Sequence, residues 1–316
     1  MLSERAKLLL SNIVYRSLFG VFFTYEQIES VGLKDALTEL FEKKIIRECM
    51  FHEKRFIVLV EHEKELENFL AMRKVAEQKK GTLIKYLKFF RISPFIRAVF
   101  ISGSLTLGRV EDDSDLDVFV LTAPDRIWTA RFLLSAILSL FGIRRTKFES
   151  IAPNKICLSH YMTTNALFDY ESIFTAQVLG NLELLWEAKP EIGKTFVRKH
   201  KWLRKYLLIS PNELLEKQVN KIGQSLVQKI GEWFLNGWFG SIIEWFLRII
   251  QLRRIKNDPK TLRPNGRIVA TDQMLEFHPD SKEGEVIRDY NLAMKKLGFP
   301  EFANERSSKM EVVISN

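Results

Sequence analysis

The sequence predicts an α/β protein, with a strand-bearing core near the middle of the chain and helix-rich segments on either side. Three observations carry this. AVFIS (Ala98–Ser102), VFVLT (Val118–Thr122) and KICLSHYM (Lys155–Met162) are strand-length runs rich in apolar residues. Between the last two, PDRIWTARFLLSAILSLFG has a proline at its start and Gly142 at its end, the punctuation of a helix. Beyond about residue 165 the periodicity turns helical. The three segments are expected to divide at 1–90, 91–165 and 166–316.

In chain order, MLSERAKLLLSNIVYRSLFG has charges among its first residues and no clear cleavage site, so it reads as an amphipathic helix rather than a leader. LKDALTELFEKK places Leu33, Leu37, Leu40 and Phe41 at helical spacing, and IIREC and FIVLV are β-rich runs split by FHEKR. Helices followed by a two-stranded wing resemble a winged-helix module. The would-be recognition helix, the third before the hairpin, carries Asp35, Glu39 and Glu42 beside Lys34, Lys43 and Lys44, whereas phosphate neutralisation wants a basic helix. A packing role is therefore favoured over DNA binding. Residues 61–90 read as a charged connecting helix that ends near Ser93-Pro94. ESIFTAQVLGNLELLWEA reads as one amphipathic helix, 212–256 as one or two long helices, and KNDPKTLRPNG as a loop.

The 316 residues carry a net charge of +9, and residues 191–316 hold 22 Lys and Arg against 15 Asp and Glu. Such an excess suits a polyanion or an anionic lipid surface as readily as a solvated face. The two cysteines, Cys49 and Cys157, form no CxxC pair, so a reducing, cytoplasmic setting is the expectation and a zinc ribbon is not supported.

The chemistry concentrates in FISGSLTLGRVEDDSDLDVFV. In a strand, residues two apart share a face, so Asp115 and Asp117 project together while Leu116 points into the core. Two adjacent carboxylates repel, and a divalent cation relieves that cost. Mg²⁺ is commonly held by one or two carboxylates and the phosphates of a substrate. Upstream, Gly103-Ser104 offers a backbone that can approach a phosphate and a hydroxyl donor, with SLTLG as a short helical turn ended by Gly108.

Gly-Ser, about ten residues, then Asp-x-Asp on a strand resembles the signature of the polymerase-beta-like nucleotidyltransferase superfamily. DRIWTAR, KICLSHYM and LEFHPD are similar to one bacterial branch that carries a winged-helix-like module in front. The resemblance is specific over about 98–123 and weaker elsewhere. It implies an α+β core with a mixed sheet and a helical C-terminal region. It also implies a Mg²⁺- or Mn²⁺-dependent transfer of a nucleoside monophosphate, with ATP the expected donor, to an unknown hydroxyl acceptor. Asp115 and Asp117 would be metal ligands, and Gly103, Ser104, Arg109 and Arg131 would bind nucleotide. The superfamily usually has a third carboxylate on a neighbouring strand. Glu149 is the nearest candidate if Thr146–Ser150 is a strand, and His160 is an alternative base. Without such a group, a degenerate nucleotide-binding regulator becomes the alternative function.

EWFLNGWFGSIIEWFLRIIQLRRIK, Glu232 to Lys256, holds three of the six tryptophans. Gly237, Ser241, Glu244 and Arg248 form a narrow polar stripe on an otherwise apolar helix. Burial in a helical C-terminal domain is the expectation, with peripheral membrane contact and base stacking as alternatives.

Overall fold

The apolar runs become the centre of a mixed sheet. In the computed structural model, which describes residues 2–51, 53–60, 65–168, 170–208, 221–263, 266–307 and 312–315, strand β4 (Ile96–Ile101) pairs antiparallel with β5 (Leu116–Thr122). β5 pairs parallel with β6 (Ile156–Thr163), the two joined through helix α5 (Ile127–Leu140). These strands are buried on both sides, as their near-continuous apolar sequences require.

In front of this core lie α1 (Glu4–Ser17), β1 (Phe23–Thr24), α2 (Tyr25–Ser30), α3 (Lys34–Glu42), β2 (Ile46–Phe51) and β3 (Lys54–Leu59). Ser3 caps α1 by accepting from the Ala6 N–H, and Thr24 and Gln27 form a reciprocal cap on α2. β2 and β3 form the expected hairpin, and the short β1, which the sequence did not signal, adds on β3. The connecting helix α4 runs Leu66–Ile92.

The region beyond residue 165 departs from the helical expectation. α6 (Ile173–Gly180) ends where LELLW turns into β7 (Glu183–Glu187), and β7 pairs antiparallel with β4. The tight run of Leu182, Leu184, Leu185 and Trp186 is buried on both faces of a sheet, which helical periodicity alone cannot distinguish from a buried helix. After α7 (Ile192–Arg198) come β8 (Lys221–Ile222), α8 (Leu226–Leu235), α9 (Gly237–Lys256), β9 (Arg267–Ala270), β10 (Met274–His278), α10 (Glu283–Lys296) and β11 (Val312–Ile314). The long-helix expectation for 212–256 resolves into α8 and α9, broken at Gly237 with φ +73°. Residues 212–220 lie outside the described residues, as does Pro264 of the expected loop.

The described residues thus build one eight-stranded sheet in the order β11-β9-β10-β6-β5-β4-β7-β8. Five of its strands come from the segment expected to be helical, so 166–316 completes the core rather than standing apart from it. α4, α5, α8 and α9 cover one face. α6, α7 and residues 201–207 cover the other. α10 packs on the N-terminal helices, where Ser11 and Tyr290 share a 2.8 Å hydrogen bond.

Candidate functional site

The sharp turn after β4 places Gly103 against the start of β5. Ser102 N–H donates to the Asp117 carbonyl at 3.1 Å. Gly103 has φ +67°, and a Cβ built on it would meet Asp117 Oδ2 at 2.7 Å. No other residue fits there without moving the carboxylate. A 3₁₀ turn follows over Gly103–Leu105, closed by Thr106, whose N–H and hydroxyl both donate to the Gly103 carbonyl. Ser104 and Arg109 are exposed on this turn and the loop after it, and the Arg109 N–H donates to the Ser104 carbonyl at 3.1 Å.

The loop back to the carboxylates is pinned from below by α4. Ala76, Lys79, Leu83 and Leu87 lie along the buried stripe of that helix. The Lys79 ammonium donates to the carbonyls of Asp112 and Ser114 at 2.9 and 2.8 Å, and to Asn154 Oδ1 at 3.3 Å. Burial lowers its pKa, against the pull of Asp112, Asp113 and Asp115. A lysine in register with an apolar stripe was the available signal for this anchor.

Asp115 and Asp117 come together with Cys157, their ligand atoms all lying within 4.8 Å of one another. Cys157 enters because it stands opposite Asp117 in the β5–β6 ladder. It occupies the neighbouring-strand place where a third carboxylate was sought. Burial and the two carboxylates push its thiol far above the usual range. Asp117 is pushed up to about 6, by burial first and then by the Asp115 charge, with His278, the Cys157 thiol and Arg145 opposing. Arg145 donates to Asp115 Oδ2 at 2.5 Å. So the carboxylate pair is held half-neutralised by an arginine from the segment before β6.

The sheet carries a second cluster along the same face. A bulge in β6 sets His160 opposite Phe119, with ring centroids 4.6 Å apart. Glu276, opposite His160 on β10, and His278 complete a group whose ligand atoms also lie within 4.8 Å. Glu276 is paired with Arg267 at 2.8 Å. His160 Nε2 is buried and makes no hydrogen bond. Burial drops its pKa to about 4, so His160 is neutral at physiological pH. The alternation of polar and apolar residues in MLEFH was the sequence signal for Glu276 and His278.

Two of the expected site residues are placed elsewhere. Thr146–Ser150 is not a strand: Glu149 closes a turn by accepting from the Thr146 N–H and hydroxyl, and it ion-pairs with Lys155. Those contacts, Lys155 foremost, hold its carboxyl at about 2. Arg131 lies on α5, across the sheet from Asp117. It donates to Gln251 Oε1 at 2.6 Å and stacks 4.6 Å from the Phe277 ring, and burial lowers its pKa to about 10. A helix that covers one sheet face cannot deliver an inward residue to the other.

Comparison with family models, with curated proteins and with solved structures finds no match to this chain.

Proposed function

We propose that this protein is a metal-dependent nucleotidyltransferase acting at Asp115 and Asp117. The observation that carries the reading is the abutment of Gly103 on Asp117, which joins a Gly-Ser turn to a carboxylate pair in one site. The two carboxylate oxygens fit a hard divalent cation, with the remaining positions left to phosphate and water. Burial and the carboxylates keep the neighbouring Cys157 thiol protonated and so not a thiolate ligand. Asp117 also has a reason to accept one, because a cation relieves the burial and repulsion that raise its pKa. Mg²⁺ or Mn²⁺ bound there would neutralise charge developing on the triphosphate.

The chain's own residues then divide the work. The Ser104 hydroxyl and the N–H groups of its turn would hold phosphate oxygens. Arg145, once Asp115 turns to the cation, would be free to hold a phosphate oxygen bidentately. Arg109 adds charge at the rim. An acceptor hydroxyl would attack the α-phosphorus of the nucleotide, ATP the expected donor. A new P–O bond forms, the bond from the α-phosphorus to the bridging oxygen breaks, pyrophosphate leaves, and the hydroxyl proton passes to solvent water. The order of three helices and a small sheet at the N-terminus supports a winged-helix-like module, and its mixed-charge α3 favours packing over nucleic acid.

Cys157 in the third position, and Arg145 on Asp115, favour one second reading: a degenerate site that binds nucleotide without turnover and regulates through its helical segments. The test is incubation with Mg²⁺ or Mn²⁺ and each α-labelled triphosphate, following pyrophosphate release and label transfer. Transfer is expected to fall by roughly two orders of magnitude or more in an Asp115→Asn, Asp117→Asn double variant, the scale on which stabilisation of developing charge acts. Metal-dependent binding without turnover would select the second reading. The absence of any binding would remove both.

A further inference from the structure

The hairpin of α8 and α9 sets Leu235, Leu247, Leu252 and Ile255 against the sheet and keeps a second apolar stripe on its outer face. On α9 the large side chains that face solvent include Trp238, Phe239, Ile242, Trp245, Phe246 and Ile250, with Trp238 77% and Trp245 61% exposed. They recur at intervals of one, three and four, a single stripe over 238–250, or about 20 Å of the 20-residue helix. α8 repeats the pattern with Leu226, Ile230, Trp233 and Phe234, Trp233 being 73% exposed.

The acids and glutamines of both helices, with Arg248, bond to the rest of the protein instead. Glu244 accepts from the Trp128 and Thr129 N–H groups at the start of α5, at 2.9 and 2.8 Å. Gln251 bonds Arg131 and the Trp128 carbonyl. Arg248 pairs with Asp272. Glu232 pairs with Arg97, and Gln228 donates to the Ile96 carbonyl. A helix normally buries its apolar stripe, and contiguous exposed patches of this size mark contact surfaces.

Charge identifies the occupant. The only two acids between 226 and 256, Glu232 and Glu244, are used inward. The exposed charges of the hairpin are Lys229, Arg253, Arg254 and Lys256, all positive. Among the described residues, no helix is long and apolar enough to cross a membrane. An apolar stripe rich in Trp and Phe, fringed by Lys and Arg and too polar to span, is the composition of a helix lying in the headgroup region. A second copy fits less well. A two-fold contact sets the same patch against itself, bringing its uniformly positive fringe together.

We propose that the α8–α9 hairpin docks this protein on an anionic phospholipid surface, the tryptophan stripe entering the interface and the basic end of α9 meeting the headgroups. The test is flotation of the full chain with vesicles of phosphatidylcholine, alone or mixed with phosphatidylglycerol, read together with tryptophan emission. Binding to the mixed vesicles is expected to be about tenfold or more tighter than to neutral ones, and to weaken with salt. A Trp238→Glu, Trp245→Glu variant should keep its melting temperature, because both side chains are exposed, and lose binding by about tenfold or more. An Arg253→Glu, Arg254→Glu variant should lose mainly the preference for anionic lipid. Failure to float with either vesicle, or binding that both variants leave unchanged, would overturn the proposal. So would a dimer in sedimentation that the tryptophan variant dissolves while vesicles capture nothing; that outcome would assign the stripe to a second copy.

Discussion

The N-terminal module and the α8–α9 hairpin are both made of amphipathic helices, but only the hairpin leaves large apolar side chains on its outer face. In α1 the apolar stripe of Leu9, Leu10, Ile13 and Val14 is turned inward, where it meets Leu37 and Leu40 of α3. In α9 the inward face is mixed: Leu247, Leu252 and Ile255 join the core, Glu244 and Gln251 bond to α5, and the aromatics look out. The hydrophobic pattern says that a helix has two sides. It does not say which side meets the protein, because that depends on what the neighbouring elements need. α5 begins without a side-chain cap of its own, and the Glu244 carboxylate supplies the missing acceptor for its first N–H groups.

The sharpest way to break this comparison is to cut both stripes and compare stabilities by chemical denaturation. Leu9→Ala should cost about 2–5 kcal/mol, the usual loss for a fully buried leucine. If it costs nothing, the N-terminal module does not unfold with the rest of the chain.

Two inward carboxylates sharpen the contrast next. Asp117, unlike Glu244, has a carboxylate for a neighbour. Its folded pKa is raised from 3.8 to about 6, so the folded state holds a proton that the unfolded chain has already released. Stability from the protonated form is complete below the unfolded value and is lost as pH rises through about 6. Asp117→Asn should therefore stabilise the metal-free protein at neutral pH by up to about 3 kcal/mol, and leave it unchanged at acidic pH below the unfolded pKa. A thermal melt at each pH measures this. Addition of Mg²⁺ should stabilise the parent and not the variant.

Glu244→Ala should cost about 1–3 kcal/mol in the same denaturation assay, since it leaves the N–H groups of Trp128 and Thr129 without their acceptor. The smallest effect belongs to the outer stripe: Trp245→Ala should stay within about 0.5 kcal/mol of the parent. A loss as large as that of Leu9→Ala would mean that the aromatic face is packed in solution.

Much of the candidate site was legible because its spacing is local. Gly103 opens the turn after β4 and Asp117 lies on β5, the next strand of one hairpin-like unit, so strand alternation and a small-residue turn suffice to bring them together. Glu149 was misplaced for a related reason. Its candidacy required Thr146–Ser150 to be a strand, but the segment is a turn in which Thr146 and Lys155 satisfy its carboxylate. Arg131 was misplaced because a helix residue's partner depends on which sheet face the helix covers. Cys157, Arg145 and Lys79 converge from β6, from the segment before it and from α4, and no spacing in the chain relates them.

The amino-acid sequence by itself determined the central strands, the caps and turns, and the pairing of two carboxylates with a Gly-Ser turn, since each follows from interactions between residues close along the chain. Only the tertiary structure decided that the last third of the chain completes the sheet, that a thiol stands beside the carboxylates, and that the tryptophans face outward. Those outcomes depend on which surfaces distant segments offer one another, and burial is settled there rather than by the local pattern.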